Sequence, residues 1–168
     1  YPAIIWQDRR TNKLCENLKA LNYEGMIKEK TGLVLDPYFS ATKIKWILDN
    51  VPNARKDAED GNLLFGTVDS FLILNLSKEK KHVTDVTNAS RTMLFNINTM
   101  NWDDDLLELF DIPKLMMPEV KSCDSNFGTL AISNKEFPIT GVIGDQQAAL
   151  VGQGCFESGD MKSTYGTG

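Results

Sequence analysis

Apolar residues recur through most of this chain at helical spacing. Leu14, Leu18 and Leu21 stand at i, i+4 and i+7 with Cys15 beside them, the stripe of an amphipathic helix. Ile44, Ile47, Leu48 and Val51 repeat the pattern, with Ser40 as the expected N-cap and Pro52 as the stop. A short helix is expected between Pro52 and Glu59, ended by Gly61, and another from Asp69 to Leu76 with Asp69 near its cap. Trp102 to Phe110 opens as a helix: Asp103 caps it, the acids that follow suit the positive end of the dipole, and Trp102 is placed to staple onto Leu107. Three apolar runs are too short for helices and predict strands: Ala3–Trp6, Leu63–Val68 and Phe137–Ile143. The last reads as buried and passes through Gly144-Asp145 into a helix over Gln146–Val151. Ser163 to Gly168 reads as a strand entering a turn. The class is α/β, with helices outweighing strands. A strand in progress at each end leads us to expect a piece of a longer protein.

Composition narrows the function. A chain of 168 residues that is 42% hydrophobic and 24% charged has the mix of one globular domain with a sizeable core. The net charge of −5 argues against a broad phosphate-binding face and so against a nucleic-acid partner. No run approaches the ~18 apolar residues of a membrane span, and the start lacks the basic region of a signal peptide. Cys15, Cys123 and Cys155 form no C-x-x-C pair and read as reduced thiols, which points to a cytoplasmic protein. His82 is the sole histidine, which excludes a multi-histidine metal site and argues against Ser-His-Asp or Cys-His catalysis; its setting predicts a surface loop or strand start. Gly159-Asp160-Met161-Lys162-Ser163 fails as a P-loop because Met161 stands where glycine must precede the lysine. Asn88-Ala89-Ser90 matches a glycosylation sequon but lacks a secretion signal beside it. Asp103 to Asp105 reads as a solvated helix start rather than a metal site.

Four places carry candidate chemistry. At Gly144-Asp145-Gln146-Gln147 a carboxylate sits where a strand hands over to a helix N-terminus, the place where open α/β sheets bind ligands. The dipole stabilises a carboxylate there, and Gly144 leaves room for close approach. Asp145 either orients a substrate hydroxyl or caps the helix. Thr164-Tyr165-Gly166-Thr167-Gly168 is either an anion cradle of backbone N–H groups or a plain hairpin turn. Trp6 offers an apolar wall for a polyol or packs in the core, and Asp8, Arg9 and Arg10 beside it read equally as a solvated first helical turn. Tyr38 lies in a loop before a helix, there to donate its hydroxyl to a ligand or to cover the core.

Together these segments resemble the glycerol kinases of the FGGY carbohydrate kinase family. The resemblance rests on Trp6-Gln7-Asp8-Arg9-Arg10-Thr11, on Thr31 to Ser40, on Lys43 to Asp49, on Leu64 to Asp69, on Thr84 to Asn96, on Gly144 to Leu150 and on Thr164 to Gly168, in order along essentially the whole chain. It implies a partial actin-like (ribonuclease-H-like) ATPase domain, a mixed sheet with flanking helices. Residues 1–155 would be the latter part of the N-terminal substrate domain and 156–168 the start of the C-terminal nucleotide domain. The activity implied is transfer of the γ-phosphoryl of ATP, with Mg2+, to glycerol, giving sn-glycerol 3-phosphate. Asp145 matches the family's base, with an indirect role toward the metal. Trp6, Tyr38, Asp145 and Gln146 match positions of the glycerol site, and Thr167 and Gly168 the start of the nucleotide-phosphate loop. Departures from the family matter too. The first phosphate hairpin, an Arg-Glu pair that holds glycerol and most of the nucleotide domain have no counterpart here, so this chain alone is expected to be inactive. Ser133-Asn134-Lys135-Glu136 replaces the Gly-rich, Arg-containing loop through which a sugar bisphosphate inhibits some bacterial members, so that regulation is not expected. A kinase for another polyol or sugar, and a non-catalytic fragment, are the competing readings. Half of a layered domain should leave apolar faces uncovered, so the chain should form homo-oligomers or repack.

Overall fold

The computed structural model describes residues 1–165 of the chain. Helices α1 (Asn12–Ala20), α2 (Glu24–Thr31), α3 (Ser40–Asn50) and α4 (Ala54–Glu59) open the fold, followed by α5 (Val68–Leu76). Then come β1 (Val83–Asp85), α6 (Val86–Ala89), β2 (Phe95–Asn96), β3 (Asn101–Trp102) and α7 (Asp104–Leu109). A 3-10 turn at Lys114–Met116 leads to β4 (Glu119–Lys121), the hairpin β5 (Gly128–Ile132) and β6 (Lys135–Ile139), and finally α8 (Asp145–Gly152). The class is α/β as expected. Parallel and antiparallel pairing are both present, divided among short pairs: β1 runs parallel to β4, while β2–β3 and β5–β6 are antiparallel.

The predicted helical stripes build the main core. Cys15 and Leu18 of α1, Ile27 of α2, Ile44 and Leu48 of α3 and Ala58 of α4 pack with Met93, Leu94, Leu106, Leu107 and Phe110. Inside it the Thr11 and Thr42 hydroxyls pair at 2.8 Å, joining the start of α1 to α3. Burial pushes the Cys15 thiol up to about 11, so this cysteine is a small hydrophobe rather than a nucleophile. A second, smaller cluster of Ile73, Val83 and Phe127 lies under Ile139 and Val142. On α5, by contrast, Val68, Phe71 and Leu76 are more than half exposed.

Several sequence expectations need correcting. Ala3–Trp6 forms no strand and pairs with nothing among the described residues, and the chain turns there through an Asp8 N–H bond to the Ile5 carbonyl of 3.1 Å. Leu63–Val68 is no strand either. Phe65 donates its N–H to the Met116 carbonyl at 2.8 Å and its own carbonyl meets His82 Nε2 at 2.5 Å, so tertiary partners replace a ladder. Phe137–Ile143 is not a buried strand: β6 ends at Ile139, pairs only with β5, and leaves Phe137 47% exposed. Pro138 tolerates this edge position because no further strand needs its missing donor. Ser40 is the first residue of α3 and its side chain makes no cap; Phe39 holds the cap position, and the Thr92 carbonyl accepts from Ala41 N–H at 2.9 Å instead. Ser163–Tyr165 forms no strand.

The acidic start of α7 is solvated only in part: Asp104 and Asp105 are exposed, as expected, but Asp103 is not. Asp103 is 9% exposed and caps the helix through the Leu106 N–H at 3.1 Å, as the sequence predicts. Its carboxylate also accepts from Lys30 Nζ at 2.8 Å and Asn96 Nδ2 at 2.7 Å, and Lys30 bonds Asp105 as well. Burial opposes the charge on Asp103, but the Lys30 ammonium, the Asn96 amide and the capped N–H outweigh it and hold the carboxyl below its usual range. A carboxyl depressed in the folded state adds stability above its unfolded pKa of ~3.9 and loses it as pH falls through the folded value. Lys30→Met should therefore cost about 2 kcal/mol at pH 7. The difference from the parent should shrink in urea melts carried down through pH 4 toward pH 2; a pH-independent difference would refute this account.

Candidate functional site

Two clusters contain the residues singled out by the sequence. The first is an aromatic wall. Trp6 stands in the turn near the start of the chain and Tyr38 precedes α3, and their rings meet at 5.8 Å with a 47° tilt. Phe39 stands edge-on to Tyr38 at 5.1 Å, and Arg91 lies over Phe39 at 5.1 Å. Trp6 is 48% and Tyr38 44% exposed, so both present faces to solvent instead of filling the core. A shallow hollow of about 260 Å³ runs alongside, lined by Val34, Asp36, Tyr38, Phe39 and Arg91.

Charges brace this wall from behind. Asp8 and Arg10 form a two-pronged pair, with Arg10 Nη2 2.7 Å from Asp8 Oδ2, and Arg10 stacks on Trp46 at 4.4 Å. The Arg10 side chain and its N–H hold the Asp8 carboxyl down at about 2. Arg9 reaches Asp36 at 3.1 Å. These three charged residues are thus paired struts rather than a solvated helical turn; α1 begins only at Asn12. Asp36 Oδ1 accepts from the Tyr38 N–H at 2.8 Å, and Lys43 Nζ donates to the Tyr38 carbonyl at 2.8 Å. Burial pulls the Lys43 ammonium below its ordinary range, while Asp8 and Asp36 act in the other direction.

The second cluster is the start of α8. Gly144 is the cap residue, and Asp145 and Gln146 open the helix, both exposed. Asp145 Oδ1 accepts from the Gln146 N–H at 2.8 Å, and Gln146 Oε1 accepts from Lys162 Nζ at 2.6 Å. The carboxylate therefore does not occupy the cap position, and its second oxygen has no hydrogen-bond partner among the described residues. Gly144 has an ordinary φ of −63°, so its need is for space, not backbone freedom. A Cβ there would lie 2.8 Å from Gln147 Oε1 and 3.4 Å from Thr87 Oγ1. The room that the sequence left for an approaching ligand is filled by the protein's own side chains.

The segment 84–92 joins the clusters, and sequence reasoning gave it no role. Thr87 Oγ1 accepts from the Gly144 N–H at 2.7 Å, which fixes the start of α8. Thr87 is held in turn by Asp85, fully buried at the end of β1, which also accepts from the Thr87 and Asn88 N–H groups, from Asn88 Nδ2 and from the Cys123 thiol. Five residues on, Thr92 receives the Ala41 N–H at the head of the wall's helix. The Thr-Asp-x-Thr-Asn run was the available signal, since aspartate at a strand end two residues before threonine is a capping pattern. The same bonds tie down Asn88, the acceptor of the sequon. No hydrogen bond joins Asp145 or Gln146 directly to Trp6 or Tyr38 among the described residues. Thr167 and Gly168 lie outside the described residues.

Residues 1–152 match the model of the N-terminal domain of the FGGY family of carbohydrate kinases. This chain belongs to the FGGY family of carbohydrate kinases. It is 57% identical, over its whole length, to a glycerol kinase of Staphylococcus epidermidis, of which it spans 34%. Among solved structures it is similar to the glycerol kinase of Plasmodium falciparum with ADP, with a TM-score of 0.86 and 41% identity over 92% of this chain and 31% of that one. A xylulose kinase from Lactobacillus acidophilus, 20% identical over 89% of this chain and 31% of its own, gives a TM-score of 0.72, a likeness of fold alone. The fold is accordingly a portion of the actin-like one that the resemblance implied.

The donor set does not amount to a metal site. Among the described residues no group of three or more His, Cys, Asp or Glu side chains is placed to hold a metal ion, and Asp145 contributes one carboxylate. None of the described helices is long and apolar enough to cross a membrane. Thr87→Val keeps the side-chain volume but removes the acceptor for Gly144 and one donor to Asp85. It should destabilise the chain by about 2 kcal/mol and speed amide exchange at Gly144 while Ala41 stays protected. Unchanged exchange at Gly144 would show that α8 is anchored otherwise.

Proposed function

We propose that this chain is the substrate-side portion of a longer glycerol kinase. In that protein, glycerol would receive the γ-phosphoryl of ATP and leave as sn-glycerol 3-phosphate. The observation that carries the reading is the 57% identity, along the entire chain, with a protein named as a glycerol kinase. The geometry supports it: an exposed aromatic pair suits the carbon face of a small polyol, and an exposed carboxylate with an unengaged oxygen heads a helix. A related kinase for another polyol or sugar would keep the fold, as the xylulose kinase does at 20% identity.

In this reading Trp6 and Tyr38 wall one side of the glycerol site. Asp145 accepts a hydrogen bond from the attacking hydroxyl and takes its proton as the new O–P bond forms and the bond from the γ-phosphorus to the departing ADP oxygen breaks. Gln146 has its amide oxygen on Lys162, which leaves the amide N–H groups to donate to a glycerol hydroxyl. Phosphoryl transfer through a loose transition state needs aligned oxygens more than a strong base, so one carboxylate in a fixed place serves. ATP and Mg2+ belong to the proposal for the whole enzyme. Thr167 and Gly168 are the proposed first contacts of the nucleotide phosphates. The single carboxylate offered here does not make a magnesium site, so no step is drawn through the ion. We place the protein in the cytoplasm, with its three cysteines free thiols.

In the full-length enzyme, Asp145→Asn should lower kcat by roughly 10²–10⁴-fold with little change in glycerol KM or melting temperature. A variant with undiminished kcat would remove Asp145 from the chemistry. The 168-residue chain by itself should consume no ATP in the presence of glycerol, because one face of the reaction has no partner. It should also associate with itself as its concentration rises, through the exposed Val68, Phe71 and Leu76 of α5. Sedimentation of a sharp monomer at all concentrations would disprove the second expectation, and measurable turnover the first.

A further inference from the structure

The lysine in the first turn of α3 breaks three local rules at once. Lys43 is only 7% exposed, a costly place for an ammonium. It sits near the positive end of a helix dipole, where a cation is disfavoured. No carboxylate lies within salt-bridge distance of it among the described residues, since Asp8 is taken by Arg10 and Asp36 by Arg9. What Lys43 does have is one good hydrogen bond, 2.8 Å, to the carbonyl of Tyr38.

That bond completes a clamp. Residues 37–39 belong to no strand or helix, so no ladder fixes their backbone. The Tyr38 N–H is held by Asp36 and its carbonyl by Lys43, so side chains pin both polar groups of this one residue. With the backbone fixed, the ring keeps only its own two torsions, and Trp6 and Phe39 at 5.8 and 5.1 Å limit those.

We propose that Lys43 is a positioning residue for substrate binding: from beneath the aromatic wall it fixes the Tyr38 backbone and so sets the Tyr38 ring against Trp6. The inference rests on the glycerol-kinase reading of the same wall. Lys43 touches no reacting atom. Its effect falls on how well the wall is preformed for a polyol, which is a matter of ground-state binding more than of chemistry.

The test is Lys43→Met in the full-length enzyme, which keeps the apolar stem and loses the donor, beside Lys43→Gln, which is too short to reach. Both should raise glycerol KM about tenfold, the worth of one charge-assisted hydrogen bond, with kcat within about threefold and the KM for ATP unchanged. A folded variant with unaltered glycerol KM overturns the proposal. So does failure of both variants to fold, since the lysine would then support the core rather than the ring. If the parent enzyme itself does not phosphorylate glycerol, the functional reading fails instead, a result distinguishable before either variant is made.

Discussion

A buried carboxylate without a charged partner must be satisfied by hydrogen bonds or it will not stay buried. Asp85 meets that condition with the Thr87 and Asn88 backbone N–H groups, both of their side chains and the Cys123 thiol. The consequences spread outward from this one group. It ends β1, starts α6 and fixes the Thr87 hydroxyl, on which the first N–H of the α8 cap depends. The same tight segment carries on to Thr92, whose carbonyl completes the open end of α3. The candidate carboxylate and the aromatic wall are thus registered against each other through a shared backbone rather than by touching.

The wall depends on a different physics. Trp6 and Tyr38 are half-exposed aromatics on irregular backbone, backed by the buried Phe39, the arrangement least able to hold itself. Charged side chains supply the rigidity: Arg10 is clamped to Asp8 and stacked on Trp46, and Arg9 on Asp36, which in turn grips Tyr38. Exposed pairs of this kind contribute little to global stability. Their role here is local order, which matters where a small ligand must find a surface already shaped for it.

The chain also shows a contrast between its two cores. The helical part closes around an extensive cluster, while the β1–β4 region and the β5–β6 hairpin share a few residues around Phe127. The apolar side of α5 stays open beside that smaller cluster. A two-residue turn at Ser133 and Asn134, both with positive φ, closes the hairpin.

Periodicity and end signals foretold most of the helices, though not α2 or α6. The stripes of α1 and α3, the stop at Pro52, the Asp103 cap and the helix behind Asp145 were all legible, because each is fixed by residues within one or two turns. The ordered motifs likewise gave the family, since they record the whole sequence and not any one contact. Ala3–Trp6 and Leu63–Val68 form no strands, and the strand at Phe137 is shorter and more exposed than expected, because an apolar run states a wish for burial but does not say how far a partner strand extends or what covers it. The sequence named Trp6 and Tyr38 without joining them, and it passed over Asp85, Thr87 and Lys43. The bonds of Asp85 to Thr87 and Asn88 and of Lys43 to Tyr38 are local, but what they serve depends on distant contacts, such as Gly144 with Thr87, which no local pattern encodes. Only the folded chain decides them, because a hydrogen bond between distant residues exists when the backbone has already brought its two ends together.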